Sequence, residues 1–312
     1  MGSEVCPERI SPELVPVTSG CESGYLFRLA TTLWSVPVSQ GYGRRMRFLV
    51  IDQSNGKLIG IFALMDPVFN LRVRDDWIGW TVQQRKHRLA SVMDAFILGA
   101  VPPYDQLLGG KLVASLVGSA EVSKAFDRKY GEAVGIISRE SKYSQLALVT
   151  VTSALGRSSI YNRMKLPGSM ELIRVGDTAG WGHFHVPGDI FLKMRRLLEM
   201  DGHRYAKGHG YGEGPNWRLR TIRQALKSIG LDEELLRHGI SREVYCCPLA
   251  QNWREYLKGE VNECFSRRPS AREIASAALE RWVIPRSQRR PEYRRWTLED
   301  TLSRFEPLLG NG

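Results

Sequence analysis

Short apolar runs alternate with polar, helically spaced stretches between residues 46 and 175. Met46–Ile51 (MRFLVI) and Lys57–Met65 (KLIGIFALM) are strand-like runs around Asp52–Gly56, a turn whose Asn-Gly pair predicts a hairpin. Asp75–Trp80 (DDWIGW) reads as a short connecting segment and Thr81–Leu89 as a polar helix. Ala90–Val101 then reads as a buried strand that stops at Pro102-Pro103, because proline cannot continue a ladder. In Tyr104–Tyr130 the apolar residues Leu108, Leu112, Leu116, Val122 and Phe126 recur at helical spacing, which predicts one helix, or two broken near Gly118-Ser119. A strand at Leu146–Thr152, a short helix at Ser158–Met164 and a strand at Met170–Val175 complete this region.

The flanks read differently. Residues 1–45 are expected to form an N-terminal arm with one helix around Tyr25–Trp34. Beyond residue 188 the chain is expected to be mainly helical and basic, with helices at Ile190–Met200, Trp217–Ile229, Asp232–His238 and Ala271–Trp282. A strand (REVYCC) is expected within Gly239–Pro248, and Gly230 suits a C-cap. The expected organisation is thus 1–45, 46–188 and 189–312, of class α/β: a mixed sheet with crossover helices plus a helical extension.

Composition narrows the function. Lys and Arg exceed Asp and Glu by 44 to 33, a net charge of +11 that attracts polyanions. Five arginines stand between Arg286 and Arg295 (Arg286, Arg289, Arg290, Arg294, Arg295) against the single acid Glu292, with Tyr293 and Trp296 interleaved. Arg218, Arg220 and Arg223 line a second basic stretch, and such arginine–aromatic mixtures suit phosphate contact and base stacking. Nucleic acid, DNA before RNA, is the expected partner. No run reaches the roughly 20 apolar residues of a membrane span, and Met1–Pro16 lacks a signal-peptide pattern, so the cytoplasm is the expected location. The five cysteines form no CxxC pair, and Cys246-Cys247 reads as part of a buried strand.

Several residues are candidates for chemistry. Asp94 sits inside the apolar run ASVMDAFIL, where a charge must be paired or put to use. His183 and His185 in WGHFHVP would share one face of a strand and offer a general base, or a metal pair if an acid joined them; no complete metal set is evident. Leu108, Gly109, Gly110 and Lys111 lie where backbone N–H groups and a lysine can meet a phosphate, although the segment carries neither GxxxxGK[ST] nor GxGxxG. Its plainer reading is close helix packing at the glycines, and Ser158 reads as the N-cap of the short helix.

Two resemblances follow. The order hairpin, strand, helix, strand, short helix, strand resembles the GNAT-like N-acyltransferase fold. That resemblance implies a CoA-like cofactor held through its pyrophosphate at Leu108–Lys111 and a tyrosine, Tyr161, that protonates a leaving thiolate. The pieces GRRMRFLV, RDDWIGW, PPYDQLLGGKL, RSSIYNRMKL and GDTAGWG resemble the Druantia (DruA-like) anti-phage family over about residues 43–185. This implies bacterial defence alongside other proteins of the system and fixes neither a reaction nor an oligomeric state. The run VMDAFILGAVPPYDQLLGG departs from the more Asn- and Arg-rich segment expected of that family. Two functions therefore compete: a nucleic-acid-interacting defence protein on a GNAT-like scaffold, and an acyl- or group transferase acting on a nucleobase or other small substrate.

Overall fold

The computed structural model describes residues 1–34, 38, 41–131, 144–154, 156–166, 170–180, 183–184, 186–207, 217–265 and 268–305. It divides into two compact units, residues 1–177 with 242–312, and residues 178–241.

The larger unit is built on a mixed sheet of the strands β1 (Pro12–Pro16), β2 (Arg45–Asp52), β3 (Lys57–Met65), β4 (Val92–Ala100), β5 (Leu148–Thr152), β8 (Ile173–Asp177) and β9 (Glu243–Pro248). A separate two-stranded ribbon is made by β6 (Lys165–Leu166) and β7 (Met170–Glu171). The sheet order is β1-β2-β3-β4-β5-β9-β8. All neighbours are antiparallel except β4 and β5. The hairpin is where the sequence puts it, with Gly56 at φ +72° supplying the turn.

Side-chain alternation buries β2 and β3 on both faces, which explains their continuous apolar runs. Phe48, Val50 and Phe62 face the helices α4 (Gly109–Ser115), α5 (Ala120–Tyr130) and α9 (Ala271–Ala278). Leu49, Ile61, Ala63 and Ile97 face the other way, against Phe27 and Ala30 of α1 (Glu22–Thr31). The expected break falls between α4 and α5, where Ser119 caps α5 by accepting from the Val122 N–H.

Four expectations change. The arm is not merely an arm: its residues Pro12–Pro16 pair with β2 and extend the sheet. The DDWIGW segment is mostly helix, α2 (Arg72–Ile78), closed by Gly79 at φ +82° and followed by α3 (Val82–Arg88). Ser158–Met164 is a run of turns, because Arg163 adopts φ +58° and the Ile160 and Asn162 carbonyls bond the Lys111 ammonium. Asp232–His238 shrinks to the 3-10 turn Glu233–Leu236.

The expected strand REVYCC is β9, between β5 and β8, so the helical extension also contributes to the sheet. Cys247 joins the core on the α4 side and Cys246 the core beside α2 and α8 (Trp253–Lys258), as neighbours on a strand must. The chain continues past α9 through the π-turn Leu279–Val283 into α10 (Ile284–Arg289), and α11 (Leu298–Ser303) lies further on.

The smaller unit pairs α6 (Gly188–Met200) with α7 (Trp217–Ser228) around Phe191, Ile222, Leu226 and Leu236. Among the described residues no helix is long and apolar enough to cross a membrane.

Candidate functional site

β4 and β5 run parallel and pair over only three residues, Val92–Asp94 against Leu148–Thr150. Just beyond that point β4 carries one extra residue relative to β3, Phe96, between Ala95 opposite Leu64 and Ile97 opposite Ala63. Such a bulge bends its strand. Asp94 and Thr150 are therefore the last paired residues before the two strands part.

At this fork the Thr150 hydroxyl donates to Asp94 Oδ1 at 2.6 Å. Burial pushes the Asp94 carboxyl up to about 6, opposed by the Thr150 bond and by the Arg74 charge. Three other carboxylates of this region, Asp66, Asp75 and Asp76, are engaged by arginines. Asp66 accepts from Arg44 Nε at 2.7 Å, Asp75 is held by Arg74 and Arg85 at 2.6 and 2.8 Å, and Asp76 pairs with Arg72 at 3.4 Å. Asp94 alone of these four sits beside a hydroxyl in place of a cation. A carboxyl held near neutrality can accept or return a proton at cellular pH.

Two phenols feel that carboxylate. Tyr161 is raised to about 12 by burial and then by the Asp94 charge. Tyr42, whose side chain is partly exposed, is raised by the desolvation of its phenol and then by the Asp94 and Asp66 charges. Tyr161 stands edge-on to Tyr245, with ring centres 5.7 Å apart, and the Tyr245 hydroxyl donates to Glu243. Thr150 and Tyr42 are the residues that sequence reasoning passed over; a threonine inside the apolar run LALVTVT was the available signal for the first.

The glycine loop has a different character. Leu108 adopts φ +59° and its N–H bonds the Tyr104 carbonyl. A Cβ on Gly109 would lie 2.5 Å from the Tyr104 oxygen, so this glycine serves close packing, as the plainer reading of the sequence had it. Ile160 lies over Gly110, its Cδ1 3.5 Å from the place of a Cβ. Lys111 Nζ donates to the Ile160 and Asn162 carbonyls at 2.9 and 3.1 Å and lies 5.5 Å from the Trp282 ring centre.

The histidines do not join this cluster. His183 belongs to the smaller unit, where burial and the charges of Arg223 and Arg237 hold its basicity down. His185 lies outside the described residues. Among the described residues no three His, Cys, Asp or Glu side chains come together as a metal set.

The two basic stretches also part company. Arg218 donates to the Val186 carbonyl at 2.8 Å and lies 4.4 Å over Phe191, Arg223 pairs with Glu233 at 2.9 Å, and Arg220 is exposed. Arg286 bonds the Gln106 carbonyl at 3.1 Å. Arg289, Arg290, Arg294 and Arg295 are exposed and form no ion pair with a carboxylate among the described residues. The aromatics between them are not free for stacking: Tyr293 is fully buried, and Trp296 Nε1 donates to Thr301 Oγ1 at 2.8 Å. A cavity of about 190 Å³ near Pro102–Tyr104 and Trp296–Leu298 contains none of the candidate residues.

With this geometry in hand, comparison with known proteins is decisive on kinship. The model of the family "Druantia protein DruA" matches residues 1–259. The chain belongs to the Druantia DruA family. It is 51% identical over 300 residues to Druantia protein DruA of Escherichia coli (strain UMEA 4076-1), covering 96% of this chain and 74% of that one. No solved structure matches. Three of the pieces that carried the Druantia resemblance supply or adjoin residues that act on the carboxylates near the fork. RDDWIGW supplies Arg74, whose field acts on Asp94, and RSSIYNRM supplies Tyr161. GRRMRFLV begins beside Tyr42 and supplies Arg44, which binds Asp66.

Proposed function

We propose that this Druantia-family chain is a cytoplasmic phage-defence protein that engages nucleic acid, DNA foremost, through electrostatic contact on a GNAT-like core, alongside other proteins of its defence system. The exposed group Arg289, Arg290, Arg294 and Arg295 carries this reading, because it is a concentration of positive charge that the described carboxylates leave unpaired. Arginines of this kind release counterions on meeting phosphates, which gives affinity that falls steeply with salt. Buried Tyr293 and bonded Trp296 favour backbone contact over base stacking here.

The GNAT-like reading rests on the sheet: an antiparallel run β1–β4, a bulge in β4, and a parallel β4/β5 pair that separates after Asp94 and Thr150. A second function, group transfer to a nucleobase or other small substrate, is favoured by Asp94 itself. Its carboxyl, held near 6 and bonded by Thr150, is suited to taking a proton from a nucleophile.

The test is binding of a short duplex DNA by fluorescence anisotropy over a series of salt concentrations. The wild type should show a steep log–log slope. Replacing the four arginines by glutamine should weaken binding at low salt and flatten that slope by up to about four units. Affinity that does not change with salt would overturn the reading.

A further inference from the structure

A GNAT-like core implies a CoA-type cofactor anchored by its pyrophosphate at the loop after β4, and the residues there do not fit one. We infer that this cradle is filled by the chain's own Ser158–Asn162 turn, so that Lys111 is a structural cation and no CoA-type pyrophosphate is held at Gly109–Lys111.

Three observations carry it. The glycine that would let a phosphate approach, Gly110, is covered by the Ile160 side chain at van der Waals distance. The ammonium that would meet the anion has two partners already, the Ile160 and Asn162 carbonyls at 2.9 and 3.1 Å, and lies near the Trp282 ring. An ammonium has three donors, so two carbonyls and a ring account for its bonding capacity. The turn is itself anchored. The Ser158 hydroxyl accepts from the Ile160 and Tyr161 N–H groups, and Glu243, at the start of β9, accepts from the Ser158 N–H. Moving the turn to admit a phosphate would break the Ser158–Glu243 bond and both Lys111 bonds and uncover Gly110 together.

The inference stands apart from nucleic-acid binding through the arginines and from the acid–base use of Asp94. Any group transferred at the fork would come from a donor anchored elsewhere.

The experiment uses the full 312-residue chain, with CoA, acetyl-CoA and inorganic pyrophosphate as probes. In calorimetry the wild type is expected to give no saturable heat with any of them. Its melting temperature should not move at about 1 mM ligand, where a micromolar site would stabilise it measurably. Lys111→Met should melt below the wild type, because it strips two carbonyls of their partner; a lysine kept free for an anion would leave stability unchanged or improved on removal. Ile160→Ala uncovers Gly110 without removing the carbonyls and should remain silent toward all three probes. Saturable CoA binding by the wild type overturns the inference, as does a Lys111→Met variant as stable as the wild type. If Lys111→Met does not fold, the wild-type calorimetry decides alone.

Discussion

At the scale of single residues, Asp94 is the carboxyl that the sheet holds furthest from its ordinary acidity. Its carboxyl is held at about 6 against an ordinary 3.8 because burial penalises the charge. A raised acid contributes most to stability below its unfolded value and loses that contribution as pH climbs through the folded value. Ionised Asp94 therefore destabilises the fold at pH 7 and above, by up to roughly 3 kcal/mol for two units of displacement. Asp94→Asn keeps an oxygen for Thr150 to bond and removes the charge. The variant should melt above the wild type near pH 8, with the difference closing at about pH 4; a difference that grows toward acid would contradict the assignment. If Asp94 serves in a reaction, the same variant loses it while gaining stability. The neighbouring glycines give a second contrast. Gly109→Ala forces a methyl to within 2.5 Å of the Tyr104 carbonyl and should cost about 1–3 kcal/mol in urea unfolding. Gly110→Ala meets only Ile160 at an ordinary 3.5 Å and should be neutral or stabilising by up to about 1 kcal/mol, since alanine is the better helix former.

At the scale of elements, apolar pattern explains what was legible in advance. The β2–β3 hairpin, β4 before its prolines, α4 and α5 broken at Ser119, and β9 with its two cysteines all carry a period or a punctuating residue. What the pattern missed is held by polar contacts between distant positions. α2 buries Ile78 and packs Trp77 against the core, and it is set as well by Arg74, fully buried, which bonds Asp75 and the Val68 and Phe69 carbonyls. The turn at Ser158 looked helical by composition, and its carbonyls instead meet a lysine 49 positions earlier in the chain. β1 is short, carries a proline at each end and alternates weakly, and its strand character comes from the open edge of β2. Of the candidate site, Asp94 stood out as a charge inside an apolar run and Tyr161 came only with the GNAT-like resemblance, while the strand divergence at Asp94 and Thr150 depends on register. Arg74→Met tests the polar account. Removing the cation strands the two carbonyls and takes one of Asp75's two arginines, so denaturant unfolding should show a loss of about 3–5 kcal/mol. A loss below about 1 kcal/mol would mean that packing alone holds α2 in place.

At the scale of the whole molecule, the smaller unit is an insertion between two paired strands. β8 ends at Asp177, and Asp177 is paired with Glu243 at the start of β9. The chain thus leaves the sheet and returns to it at adjacent backbone positions, as a hairpin does, with residues 178–241 in place of a turn. That unit has its own apolar contacts around Phe191, Ile222 and Leu226. Replacing residues 178–241 by Asn-Gly, which with Arg242 makes a three-residue connection between the paired Asp177 and Glu243, should leave an independently folded sheet, because short glycine-bearing loops of that length close antiparallel pairs. The excised protein should keep a single cooperative unfolding transition and a circular dichroism spectrum richer in strand than the parent. It also separates the two basic stretches, since Arg218, Arg220 and Arg223 leave with the insertion while Arg289, Arg290, Arg294 and Arg295 remain. Arg218 and Arg223 are engaged within their own unit, so their loss should alter the salt slope of DNA binding by less than about one unit. An excised protein that folds and loses salt-dependent binding would move the nucleic-acid contact to the insertion. One that fails to fold would show that residues 178–241 are needed to form the sheet, against the adjacency of Asp177 and Glu243.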